Sequence, residues 1–186
     1  SEGPTPGFNT LIPESILTPD SVETSIGTLN FFDGLPDEDT VAKVYDNLDR
    51  IRATQAFLDM VPLASIEGLR RGMESVGVDA SNKILLYSDL MDSNSLFLTG
   101  NTDTIYALGI LDLERDGPTV VEVPAGAGPG TVNDAYFRFV IDMGAPGPDR
   151  GKGGKYLILP PGYKGTIPED YFAVESPTYV NWGPLR

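Results

Sequence analysis

The hydrophobic pattern of this chain changes period once, near residues 77–82, and that change limits the folds open to it. Before it, apolar residues recur at three and four positions, the spacing of an amphipathic helix. After it, short runs rich in β-branched and aromatic residues alternate with turns of glycine, proline, asparagine and aspartate. A chain that places helices first and strands afterwards does not interleave them as crossovers of a parallel sheet. The expected class is α+β, with two N-terminal helices followed by a mainly antiparallel β-sheet.

The first helix is expected to open at Pro36-Asp37-Glu38-Asp39. There Asp37 caps free amides, and Glu38 and Asp39 place negative charge at the positive end of the dipole. Val41, Val44, Tyr45, Leu48, Ile51, Gln55 and Leu58 share one face, and Asp46 pairs with Arg50 on the wet side. Pro62 has no amide to donate and suits the first turn of a second helix. Leu63, Ile66, Leu69, Met73 and Val76 outline that helix, Glu67–Arg71 and Arg70–Glu74 are its i,i+4 partners, and Gly77 stops it. The Arg70-Arg71 pair reads as a solvated helix face before an anion site. Upstream, SVETSIGTLNFF alternates at Val22, Ile26, Leu29 and Phe31 around Gly27, as a short strand or an irregular segment.

Six strands are expected next: Lys83–Tyr87, Ser95–Leu98, Thr104–Leu113, Thr119–Val123, Ala135–Asp142 and Tyr156–Leu159, with Tyr171–Val174 as a further candidate. Residues 1–19, with Pro4, Pro6, Pro13 and Pro19, read as an extended lead-in, and 20–186 as a single α+β domain. SEGPTPGFNT lacks the basic region and apolar core of a signal peptide, and suits the mature end left after one is removed. The ending Trp182-Gly183-Pro184-Leu185-Arg186 has no polar run-out and reads as a cut in a longer protein.

Composition narrows the chemistry. With neither cysteine nor histidine, disulfides, thiolate metal sites, Ser-His-Asp and Cys-His catalysis and His-ligated zinc cannot be completed within these 186 residues. Acid–base work falls to Asp, Glu, Tyr or Lys, and a bound metal would be calcium or magnesium, although no cofactor is evident. A net charge of −14 repels phosphate backbones, so nucleic acid is not an expected partner. No apolar run approaches the ~18 residues of a membrane helix.

Two clusters qualify as a site. In the first, Asn101-Thr102-Asp103-Thr104 either shapes a turn through its own backbone or points Asn101 and Asp103 into a cleft beside Tyr106. The second joins Asn133, Asp134, Tyr136, Arg138 and Asp142. Arg138 inside an apolar strand cannot be buried unpaired, so it meets Asp103, Asp134 or Asp142, or a ligand anion. Asp103, Tyr106, Arg138 and Asp142 are therefore the catalytic candidates, and Asn101, Asp134, Lys155 and Tyr156 the ligand-binding ones. The loop PDRGKGGK misses the phosphate-loop spacing and is followed by a strand, so a flexible hairpin is expected.

The segments FFDGLPDEDTVAKVYDNLDRIRATQAFL, NTDTIYALGILDL and FVIDMG…GPDRGKGGKYLILPPGY resemble domain-of-unknown-function family 1254 over roughly residues 20–186, most specifically at GGKYLILPPGY. The resemblance implies a bacterial, often exported protein, periplasmic or secreted, in which this domain precedes a family 1214 β-sandwich. It supplies no catalytic assignment. The leading expectation is the N-terminal half of a hydrolase-like enzyme whose site is shared with a C-terminal domain. The alternative is a non-catalytic small-ligand or carbohydrate-binding module, or a structural one, and a homo-oligomer is a further possible assembly.

Overall fold

The computed structural model describes residues 12–95, 97 and 100–186. Its first strands are β1 (Ser21–Thr24), β2 (Gly27–Phe32) and β3 (Leu35–Pro36), paired antiparallel in that order. The segment that sequence left between strand and irregular is thus a hairpin. Gly27 closes it at φ +106, with the Thr24 hydroxyl donating to the Gly27 carbonyl at 2.7 Å. Asp33 and Gly34, both at positive φ, make the next tight turn, the geometry that suits a right-twisted hairpin.

Helix α1 (Glu38–Ser75) corrects the expectation of two helices, and it follows the first strands instead of leading the fold. Asp37 Oδ1 accepts the Thr40 amide at 2.7 Å, as a cap should, and the Thr40 hydroxyl first and then that amide hold the Asp37 carboxyl below its usual range. The helix runs for 38 residues straight through Pro62. An interior proline costs about 3 kcal/mol through one lost hydrogen bond and a ring clash. That is a local cost, and burial of Ile66 and Met73 beyond the proline opposes it. The expected ion pairs Asp46–Arg50, Glu67–Arg71 and Arg70–Glu74 all form. The helix stops as expected at Gly77 (φ +91), where the Val78 amide reaches back to the Met73 carbonyl.

By its contacts the chain divides into two compact units, Ser1–Leu58 and Asp59–Arg186. Among its described residues the second holds the last part of α1 and eight strands: β4 (Leu85–Leu86), β5 (Ala107–Asp112), β6 (Thr119–Val123), β7 (Gly130–Asp134), β8 (Phe139–Met143), β9 (Gly154–Leu159), β10 (Phe172–Glu175) and β11 (Val180–Leu185). A five-stranded sheet has the order β4-β5-β11-β7-β8 and a three-stranded one β10-β9-β6. All pairings are antiparallel except β9 with β10. The class is α+β, as expected.

Strand boundaries moved in several places. Only Leu85–Leu86 pairs within Lys83–Tyr87, and the strand expected at Ser95–Leu98 falls partly on Leu96 and Leu98, outside the described residues. Ala135–Asp142 is not one strand. The chain turns between β7 and β8, because the Asp134 carboxylate accepts the amides of Tyr136 and Arg138 at 2.9 Å while Phe137 takes φ +61. In the second unit two strands were not foreseen, β7 and the central β11. GTVND and VNWGPL carry the glycine, asparagine and proline that usually mark turns.

Alternation along these strands builds two cores. Leu108, Ile110, Tyr106 and Trp182 on one face of the five-stranded sheet pack with Ile66 and Met73 of α1. Leu111, Val132 and Met143 on the other face pack with Val123, Tyr156 and Ile158 of the three-stranded sheet.

Candidate functional site

Side chains alternate across a strand, so Tyr106 just before β5, Thr131 and Asn133 on β7, Asp142 on β8 and Trp182 on β11 share one face. The register places Trp182 between Ile110 and Asn133, and Thr131 opposite Asp142. Towards β5 this face is filled by the apolar residues of α1. Towards β7 and β8 it lines a cavity of about 280 Å³, bordered by Tyr106, Thr131, Asn133, Phe137, Asp142 and Trp182, with Pro129, Pro146 and Arg186.

Aromatic rings form much of its wall. Phe137 stacks on Trp182 at 5.4 Å and 28°, and Phe97, which does not itself line the cavity, stands 6.0 Å from Tyr106 and 6.1 Å from Trp182. The left-handed backbone of Phe137, fixed by the Asp134 turn, is what delivers that ring to the indole. Among the described residues, the buried Trp182 Nε1 has no hydrogen-bond partner. A buried donor left unpaired costs about 1–3 kcal/mol, so it calls for a reason.

The remaining polar groups of the cavity are lightly engaged. The Tyr106 hydroxyl accepts the Asn101 amide at 3.2 Å and donates to none of the described residues. Asn133 Nδ2 reaches the Phe137 carbonyl only at 3.5 Å. The half-buried Asp142 carboxylate has no partner among the described residues. A ligand entering here meets acceptors at Asp142 and Asn133 and a phenol at Tyr106, against aromatic rings.

The sequence candidates separate into distinct places. Tyr106 and Asp142 reach the cavity together. Asn101 stands one step behind, its Oδ1 receiving Asp103 N, Thr104 N and Thr104 Oγ1 at 3.0 Å while its own amide holds Tyr106. Asp103 is exposed in that turn and does not line the cavity. Asp134, fully buried, pairs with Arg138 Nε at 2.6 Å, so of the partners considered for Arg138 the geometry selects this one. Arg138 is not in a strand interior. It leaves the turn outward, 61% exposed, with its guanidinium 5.1 Å from the Tyr136 ring centre.

Lys155 and Tyr156 lie elsewhere. Lys155 is exposed on β9 opposite Glu122. Tyr156 is fully buried between the sheets, where its hydroxyl donates to Asp149 Oδ1 and Gly153 N donates to Asp149 Oδ2 at 2.9 Å. Burial and then the Asp149 carboxylate push the Tyr156 phenol up to about 12. Burial works against the charge on Asp149, but the bonds from Tyr156 and Gly153 outweigh it and hold its carboxyl below the usual range. The expected flexible hairpin at PDRGKGGK is instead a bonded connection from β8 in one sheet to β9 in the other.

The family model described as Protein of unknown function (DUF1254) matches residues 81–186, a span that contains the cavity, both sheets and GGKYLILPPGY. The chain belongs to this family. No curated protein matches it. Among solved structures, the DUF1254 chain is similar to the VPA0106 protein from Vibrio parahaemolyticus at 14% identity and a TM-score of 0.46, over 67% of this chain and 29% of that one. The chain therefore spans less than a third of that structure's length. Among its described residues no helix is long and apolar enough to cross a membrane.

Trp182, Phe137 and Thr131 were missed as site residues. A lone tryptophan on a strand flanked by asparagine and glycine was the available signal. The bend that brings Phe137 to it has no sequence signature beyond Asn133-Asp134.

Proposed function

We propose that this DUF1254 domain is a binding module for a small polar ligand of carbohydrate type, held in the cavity at Trp182. The observation that carries the reading is a cavity wall that sets the stacked rings of Trp182 and Phe137 beside the unengaged Asp142 carboxylate, with Asn133 and Tyr106. Rings beside hydroxyl-matching polar groups suit an amphipathic sugar face. A volume of about 280 Å³ lies at the lower edge of ordinary ligand pockets, which begin near ~300 Å³.

Binding is favoured over catalysis within this chain by the donor set. Glycoside hydrolysis uses two carboxylates roughly 5–9.5 Å apart, and Asp142 is the one acid among the described residues lining the cavity. The second reading, one wall of a hydrolase-like site completed by a C-terminal domain, rests on that unengaged carboxylate. The exported location and the β-sandwich partner rest on the family resemblance alone.

Calorimetric titration of the chain with a panel of neutral monosaccharides, disaccharides and polyols, with and without calcium, tests the proposal. Saturable binding that Asp142→Asn weakens supports it. Absence of heat across the whole panel contradicts it. Hydrolysis of a bound sugar by a longer polypeptide but not by this chain would move the reading to the second form.

A further inference from the structure

The two sheets of the second unit border another cavity, of about 220 Å³, on the opposite face of the five-stranded sheet from the aromatic one. Leu111, Val121, Val123, Val132, Met143 and Leu185 supply its apolar lining. Interiors are packed to crystal density with few voids larger than a water molecule, so a hollow of this size has a structural cause.

Two glycines provide it. Gly109 on β5 stands directly opposite Gly183 on β11, and both line the cavity. A Cβ at Gly109 would meet nothing within 4 Å, and one at Gly183 only the carbonyl oxygens of Gly109 and Thr131 at 3.9 Å. Neither has a left-handed φ. By contrast, a Cβ at Gly144 would strike the Gly128 carbonyl oxygen at 2.3 Å, and one at Gly153 the Ala125 nitrogen at 2.7 Å. Backbone geometry therefore explains Gly144 and Gly153 but not the facing pair, and glycine weakens a strand interior. What the pair supplies is room.

The lining also includes polar groups, with Ser81 half-buried and Asn82 and Glu122 exposed, which places the mouth beside them. We propose that this chamber binds the alkyl chain of a small amphiphile, lodged in the space left by Gly109 and Gly183, with a neutral or cationic head at the mouth near Glu122. Apolar cavities of about 150 Å³ already take benzene or xenon, so this volume suffices for a short chain. Glu122 lines the chamber while Lys155, opposite it on β9, does not, so Glu122 and the net charge of −14 disfavour a carboxylate head.

Titration of the chain with 1-octanol, followed through its methyl NMR signals and repeated on Gly109→Val and Gly183→Val, tests the proposal. Saturable shifts at Leu111, Val121, Val132, Met143 and Leu185 are expected, with binding at least about ten-fold weaker in either variant. The variants should melt no lower than the parent, because valine fills open space and suits a strand. Should either valine variant fail to fold, Gly109→Ala must still weaken octanol binding. Non-saturating shifts, or variants that bind as well as the parent, overturn the chamber. Octanoate binding as tightly as octanol overturns the neutral or cationic head.

Discussion

Trp182 carries two opposing terms, a buried unpaired donor and a large aromatic contact with Phe137. Trp182→Phe removes the donor and keeps most of the ring, so its urea-unfolding free energy should stay within about 1 kcal/mol of the parent. Trp182→Ala opens the core and should lose about 3–5 kcal/mol. Tyr156 gives a pH signature. Its phenol titrates near 10 when unfolded and at about 12 when folded. A raised folded value means that its contribution is fully present below pH 10 and is lost as pH rises towards 12. Denaturant unfolding across that window should show stability falling, and Tyr156→Phe should flatten the fall. The same variant should cost about 1–3 kcal/mol at neutral pH, because Asp149 stays buried without the phenol's hydrogen bond.

At the scale of elements, α1 shows where periodicity informs and where it stops. The spacing of Val41 to Val76 located the helix, its cap at Asp37 and its stop at Gly77, but Pro62 split it in two on paper. Local rules price a proline; they do not include the burial of Ile66 and Met73 that outweighs it. Pro62→Ala should therefore stabilise the chain, by up to about 3 kcal/mol in urea unfolding. The strands divide in the same way. TVVEV was legible to the residue, since β-branched alternation is a local signal. VNWGPL was not, because Gly183 and Pro184 read as a turn, while six paired positions on β5 hold them in the sheet. At the site, Tyr106 and Asp142 were legible as polar residues bordering apolar runs. Their meeting with Trp182 depends on β11 pairing with β7, a contact between segments almost fifty residues apart that spacing alone does not encode.

For the molecule as a whole, 27 acidic against 13 basic side chains leave a self-repelling surface. Screening by salt at physiological strength, where the Debye length is about 8 Å, should raise the thermal midpoint above its low-salt value. The asymmetry also favours neutral or cationic ligands in both cavities. Because the chain has a single tryptophan and it lines the aromatic cavity, its fluorescence reports that site without a label. The most direct measurement is that emission, followed while neutral mono- and disaccharides are added to the parent chain and to Asp142→Asn. A saturable change in the parent that is weakened in the variant is the expected result. Emission that stays constant across the whole panel, or changes identically in both proteins, would contradict a ligand site at Trp182.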